Sequence, residues 1–213
     1  MPRNVLFVKK HSDTRVTNAF KDAIHYLRKT YDDINIIVEE STAHELVPDF
    51  QDLISFRVEE KALLAEKTDF VIALGGDGSI LHVSSLFDQH AVPPVLSFSM
   101  GTLGFLLPYD VRAFPEAVND VFHSRFSLAL RKRLCMGLWD SRPEQCLWLP
   151  GENSCRELHF MNEMVLHRGS DPHMTTMDAF VDGEHLTRTV ADGLIVSTPT
   201  AVSYTHLTLP TKA

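Results

Sequence analysis

Residues 69–82 read DFVIALGGDGSILH. The apolar run at 69–74 suits a buried strand, Gly75, Gly76 and Gly78 strip side chains from the turn that follows, and Ser79 opens a helical pattern to about residue 87. A strand that empties into a glycine-rich turn and then a helix is the junction at which α/β folds bring backbone N–H groups to phosphates. The stretch is neither G-x-G-x-x-G nor a Walker loop, because the lysine of the latter is missing. Taken alone it serves equally as a tight turn with Asp77 or Ser79 capping the helix. Asp77 adds something a plain phosphate cradle would reject. A carboxylate beside polyphosphate needs a bridging cation such as Mg²⁺, or a catalytic task such as deprotonating a hydroxyl.

Working outward, strands at 4–8, 34–38, 69–74 and 94–99 alternate with helical patterns up to about residue 122. Val16, Phe20, Ala23 and Leu27 share one helical face, and a second helix is expected from 50 to 66 after Pro48-Asp49. Asp110 is placed to cap a further helix bearing Val111, Phe114, Val118 and Val121, with Pro115 in its first turn. Alternation of this kind implies crossovers and a parallel sheet covered on both faces. Beyond Ser124 the pattern becomes short strands, FSLAL, LCMGLW, QCLWL, ELHF, MDAFV and LIVS, separated by turns such as SRPE, PGEN and the hairpin-like VDGEH. The expected organisation is an α/β nucleotide-binding domain over 1–123, an incomplete all-β, sandwich-like domain over 124–200, and an atypical tail over 201–213.

Composition narrows the function. Twenty Lys and Arg against 28 Asp and Glu leave a net charge of −8, which disfavours a nucleic-acid groove, and the RKR at 131–133 reads as a solvated strand end. No apolar run reaches the length of a membrane span, and the first residues carry no targeting signal. Cys135, Cys146 and Cys155 lack C-x-x-C spacing, so neither a disulfide framework nor a zinc site is expected, and a reducing compartment follows.

Three more stretches carry candidate chemistry. MGTLGFL at 100–106 holds Gly101, Thr102, Gly104 and Phe105 after the strand at 94–99, so two glycine loops at neighbouring strand ends would face one crevice. MNEMVLHRGS at 161–170 sets Asn162 beside Glu163, an amide and a carboxylate suited to sugar hydroxyls and base edges. TRTVADGLIVSTPT at 187–200 places Asp192-Gly193 in a turn before a strand that leaves through hydroxyl-rich residues including Thr198.

In this order, LGGDGSILH, PPVLSFSMGTLGFL, FMNEMVLHRG and FVDGEHLTRTVADGLIVSTPT resemble successive blocks of the NAD kinase family over nearly all of residues 4–200. The opening NVLFVKK and the VPPVL and GTLGFL wording resemble fungal members, including the mitochondrial NADH kinase type. The resemblance implies a substrate cleft between an α/β and a β-rich domain. It also implies transfer of the ATP γ-phosphoryl group to the 2′-hydroxyl of the adenosine ribose of NAD or NADH. Asp77 would take the hydroxyl proton; Gly75, Gly76, Gly78 and Ser79 would hold phosphates, with Mg²⁺ neutralising charge. Asn162 and Glu163 would match the dinucleotide-contacting pair, and Asp192 the residue at the nicotinamide end. The family further implies a homo-oligomer, dimer or tetramer, in the cytoplasm or the mitochondrial matrix.

After STPT the family continues with a Gly-Ser-Thr-Ala-Tyr-type segment, whereas this chain reads AVSYTHLTLPTKA, which implies a C-terminal truncation with a foreign end. A lipid or sphingoid kinase shares the G-G-D-G loop, but NEMVLHRG and DGLIVSTPT stand against it. A catalytically inactive nucleotide-binding fragment is the alternative that the altered end supports, and a dehydrogenase lacks its G-x-G-x-x-G here.

Overall fold

Runs rich in Val, Ile, Leu and Phe build the centre of the molecule. The computed structural model describes residues 3–10, 13–57, 60–87, 91–101, 104–137 and 158–201. The chain divides into two units, Met1–Ala129 and Leu130–Ala213.

In the first unit, β1 (Asn4–Lys9), β2 (Asn35–Glu39), β3 (Ile54–Phe56), β4 (Phe70–Gly75), β5 (Val95–Ser99) and β6 (Tyr109–Asp110) form one sheet in the order β3-β2-β1-β4-β5-β6. Every pairing is parallel. Alternate residues face opposite sides of a strand, so both sides of β1 must be apolar if both are covered. On one side, Val5 and Phe7 join a cluster with Phe20, Ile24 and Leu27 of α1 (Thr14–Thr30) and with Phe114 and Val118 of α5 (Phe114–Phe122). The rings of Phe7 and Phe20 lie 4.2 Å apart, and Tyr31 stacks on Phe122 at 3.8 Å. Leu6 and Val8, pointing the other way, are also buried. There α4 (Asp77–Leu86) packs against β4 and β1. Helices on both faces are the layering that the sequence pattern implies.

Asp13 and Asp110 each accept a bond from the amide two residues on, capping α1 and a short 3₁₀ turn at Val111–Ala113 that leads into α5. A guanidinium two residues away, Arg15 or Arg112, holds each carboxyl below its ordinary pKa.

The expected helix over 50–66 is not there. Those residues hold β3 and only the later α3 (Lys61–Lys67), while a short α2 (Glu40–Leu46) precedes them. The amides of Asp49 and Phe50 both close on the Leu46 carbonyl, so Pro48 follows the end of a helix instead of starting one. Helix α4 begins at Asp77, two residues before the expected Ser79.

The second unit, among its described residues, contains strands in antiparallel pairs: β7 (Leu134–Met136) with β8 (Leu158–Phe160), β9 (Glu163–His167) with β12 (Gly193–Ser197), and β10 (Thr175–Val181) with β11 (Glu184–Ala191). Asp182 and Gly183 join the last pair with φ of 51° and 83°, the two positive values that a tight hairpin turn requires. FSLAL at 126–130 is not a strand. It finds no ladder partner, and Leu130 is 93% exposed. QCLWL and the tail 202–213 lie outside the described residues.

Candidate active site

Strand order decides where a ligand can enter the first unit. From the central pair β1 and β4 the sheet grows outward in both directions, so the loops leaving these two strands diverge and open a crevice at their carboxyl ends. Both ends are tied: the Lys10 amide donates to the Leu74 carbonyl at 2.9 Å.

The first glycine loop starts at Gly75, where φ is +155° and a Cβ would overlap Ser79 Oγ. The Ser79 amide donates to the Gly76 carbonyl at 2.8 Å, closing the turn. Ser79 therefore has its amide engaged and its side chain buried, while a Cβ at Gly76 or Gly78 would meet no atom within 4 Å. The open faces of these two glycines, at the start of α4, are where an anion could approach backbone.

Asp77 connects this loop to the second. Its Oδ1 accepts from the Leu106 amide at 2.8 Å and its Oδ2 from the Phe105 amide at 3.1 Å. Gly104 makes the contact possible, since a Cβ there would fall on Oδ1. The second loop is fastened to β5 as well: Ser97 Oγ donates to the Leu106 carbonyl at 3.1 Å, and Ser99 Oγ to the Tyr109 carbonyl at 3.2 Å. Sequence reasoning missed these two serines. The signal was present in VLSFS, where hydroxyls at alternate positions of an apolar strand must share one face. Gly101 precedes the contact with φ of +149°, Phe105 is 62% exposed, and Thr102 lies outside the described residues.

Around the same sheet edge are two polar side-chain contacts that the sequence did not announce. The Lys9 side chain ends β1 fully buried, with Nζ 2.7 Å from Glu45 Oε2 and 3.3 Å from Thr17 Oγ1. His82 Nε2 of α4 lies 2.9 and 3.0 Å from the two Glu39 oxygens at the end of β2.

In the second unit, three expected residues come together and one stands apart. Pairing of β9 with β12 sets Glu163 opposite Ser197, and the Thr198 amide donates to the Asn162 carbonyl at 2.9 Å. The Thr198 hydroxyl, 1% exposed, donates to the Met161 carbonyl and accepts from the Thr200 amide, so it secures the backbone beside Asn162. Asp192 sits at the far end of β12, about 17 Å away for five residues of strand. There Oδ1 accepts from Arg168 Nε at 2.7 Å and the Asp192 carbonyl from the Arg168 amide at 3.1 Å. Arg168 is thus the partner of a candidate site residue.

Residues 5–126 match the ATP-NAD kinase N-terminal domain. The chain belongs to the ATP-NAD kinase family. Residues 161–202 match the ATP-NAD kinase C-terminal domain, so the two matched segments contain every candidate site residue. The mitochondrial NADH kinase pos5 of Schizosaccharomyces pombe is 41% identical over 93% of this chain and 48% of its own length. The mitochondrial NADH kinase POS5 of Saccharomyces cerevisiae is 37% identical, with the same coverage of both chains. The crystal structure of yeast NADH kinase complexed with NADH superposes with a TM-score of 0.80 at 35% identity, over 94% of this chain and 59% of that one. The chain spans about half the length of these curated relatives.

Within this ATP-NAD kinase fold, no group of three or more His, Cys, Asp or Glu among the described residues could hold a metal ion. No helix among the described residues is long and apolar enough to cross a membrane.

Proposed function

We propose that this chain carries the phosphoryl-transfer site of an NAD(H) kinase, moving the γ-phosphoryl group of ATP to the 2′-hydroxyl of the adenosine ribose of NAD or NADH. The observation that carries the reading is the Asp77 carboxylate, fixed between two glycine loops at the switch point of a sheet of this family. Each Asp77 oxygen accepts one amide and keeps lone-pair capacity for another donor, so the carboxylate can receive a hydroxyl proton without leaving its place. As the 2′-oxygen bonds to the γ-phosphorus, its proton passes to Asp77, the bond to the bridging oxygen breaks, and ADP leaves. The open backbone at Gly76 and Gly78 suits the phosphates. Asn162 and Glu163 supply an amide and a carboxylate for the dinucleotide, with Thr198 holding their backbone and Asp192 serving its other end. Mg²⁺ would enter as part of the MgATP substrate.

Both fungal relatives are mitochondrial by name, which favours the mitochondrial matrix over the cytoplasm, and a homo-oligomer is the accompanying expectation. The test is NADP(H) formation from MgATP with NAD or NADH. It is run on this chain and on one extended to the length of the relatives, each beside Asp77→Asn. Loss of turnover by about 10²-fold or more in the variant is expected. Equal rates with and without the carboxylate would remove Asp77 as the base. ATP binding with no turnover in either length would favour the inactive nucleotide-binding alternative.

A further inference from the structure

We propose that His82, through Glu39, is a positioning residue that holds Asp77 in its seat between the glycine loops. The inference rests on the kinase reading for its meaning in turnover, and on geometry for the rest. Asp77 occupies the first turn of α4, and no side chain caps that helix start. The register of Asp77 against the Phe105 and Leu106 amides therefore depends on how α4 is rotated and seated along the sheet. Apolar burial through Ile80, Val83 and Leu86 holds α4 down onto β4 and β1, but such contacts are non-directional and leave rotation weakly defined. A directional contact is needed. His82 provides one, five residues beyond Asp77 and on the same helix.

Its Nε2 is nearly equidistant from both Glu39 oxygens, at 2.9 and 3.0 Å, with the Glu39 side chain mostly buried and that of His82 38% exposed. Glu39 ends β2, which lies beyond β1 from β4. The pair thus reaches across β1 and ties the helix to a strand two positions away. Glu39 is in turn fixed by its place at the start of α2, whose Glu45 grips buried Lys9 at the end of β1. The polar contacts that locate this helix then include Asp77 on the second glycine loop, His82 on β2, and the bond that Lys61 Nζ donates to the Ser85 carbonyl near its far end. Removing the His82 contact frees a small rotation, and misplacement of a reacting group by about 1 Å costs on the order of 10²-fold in rate.

The Phe105 and Leu106 amides report directly on the seat of Asp77, because its carboxylate is their acceptor. Hydrogen exchange measured residue by residue on the full chain should show these two amides exchanging about 10-fold faster or more in His82→Ala, while those of β1 and α1 keep their protection. His82→Gln, whose amide N–H can still reach Glu39, should restore the native rates. Glu39→Ala should reproduce the local effect, and the double variant should add little to either single one. Where turnover is measurable, kcat should fall with KM little changed. Unaltered exchange at Phe105 and Leu106 in His82→Ala, or a uniform rise throughout the first unit, would overturn the assignment. Absence of turnover in every protein would count against the kinase reading alone, since the exchange measurement decides the anchor without it.

Discussion

Gly104 and Asp77, 27 residues apart in sequence, share one volume: the space a Cβ of residue 104 would need is filled by the Asp77 carboxylate. The second glycine loop is therefore shaped around an acidic side chain delivered by the first, and both lie at the carboxyl ends of adjacent strands. The glycines of MGTLGFL thus have different reasons. Gly104 gives room to a carboxylate, while Gly101 takes a backbone conformation of positive φ.

Gly104→Ala is accordingly expected to dislodge the carboxylate. Overpacking of this kind costs about 1–3 kcal/mol, and the Phe105 and Leu106 amides lose their acceptor. Chemical denaturation and hydrogen exchange would register both effects. Unchanged stability together with native protection of the two amides would mean that the loops separate freely and that the contact is incidental.

The buried Lys9 gives an asymmetric expectation. Its side chain is wholly buried, whereas that of its partner Glu45 is 43% exposed. Glu45→Ala leaves the buried ammonium with the Thr17 hydroxyl as its partner among the described residues, and an uncompensated buried charge costs about 3 kcal/mol or more. Lys9→Met keeps the volume and leaves Glu45 able to turn to water, so it should change stability by less than about 1.5 kcal/mol. Urea unfolding of the two variants tests the ordering, and an equal loss in both would refute it.

The legible part of this fold was the part written in period and turn chemistry. The β1 and β4 runs, the α1 stripe and the 181–185 hairpin follow from apolar spacing and from Asp182-Gly183. The misreading over 50–66 came from Pro48, whose helix-stopping and helix-starting uses look alike until the Leu46 carbonyl is seen to accept both following amides. FSLAL alternates as a strand does, yet a strand exists only where another backbone completes its ladder. For the site, glycine spacing pointed to both loops, and the family resemblance supplied the role proposed for them. What sequence could not supply was pairing at long range: Asp77 with the Phe105 and Leu106 amides, His82 with Glu39, and Arg168 with Asp192. Each joins elements whose adjacency is a product of sheet order, which local patterns do not encode.

The β10–β11 hairpin offers a pH test with a defined sign. Asp178 stands directly opposite Arg188, accepting from Nε at 2.8 Å and from the terminal nitrogen at 2.9 Å, with His185 Nε2 at 3.2 Å. The Arg188 bonds, followed by that of His185, hold the Asp178 carboxyl below its ordinary pKa. A carboxyl depressed in the folded state contributes stability at every pH above its unfolded value, near 4, and that contribution disappears as pH falls through the lower folded value. Protection of the hairpin amides should thus stay level from neutral pH to about 5 and then decline on further acidification. Asp178→Asn should flatten the decline in the hairpin while leaving the acid response set by Asp13 and Asp110 in the first unit. Because the pair is exposed, added salt should weaken the effect through screening. NMR titration of the Met177 and Thr189 amides in both proteins supplies the readout, and an identical acid response in the two would show that Asp178 adds nothing to the hairpin.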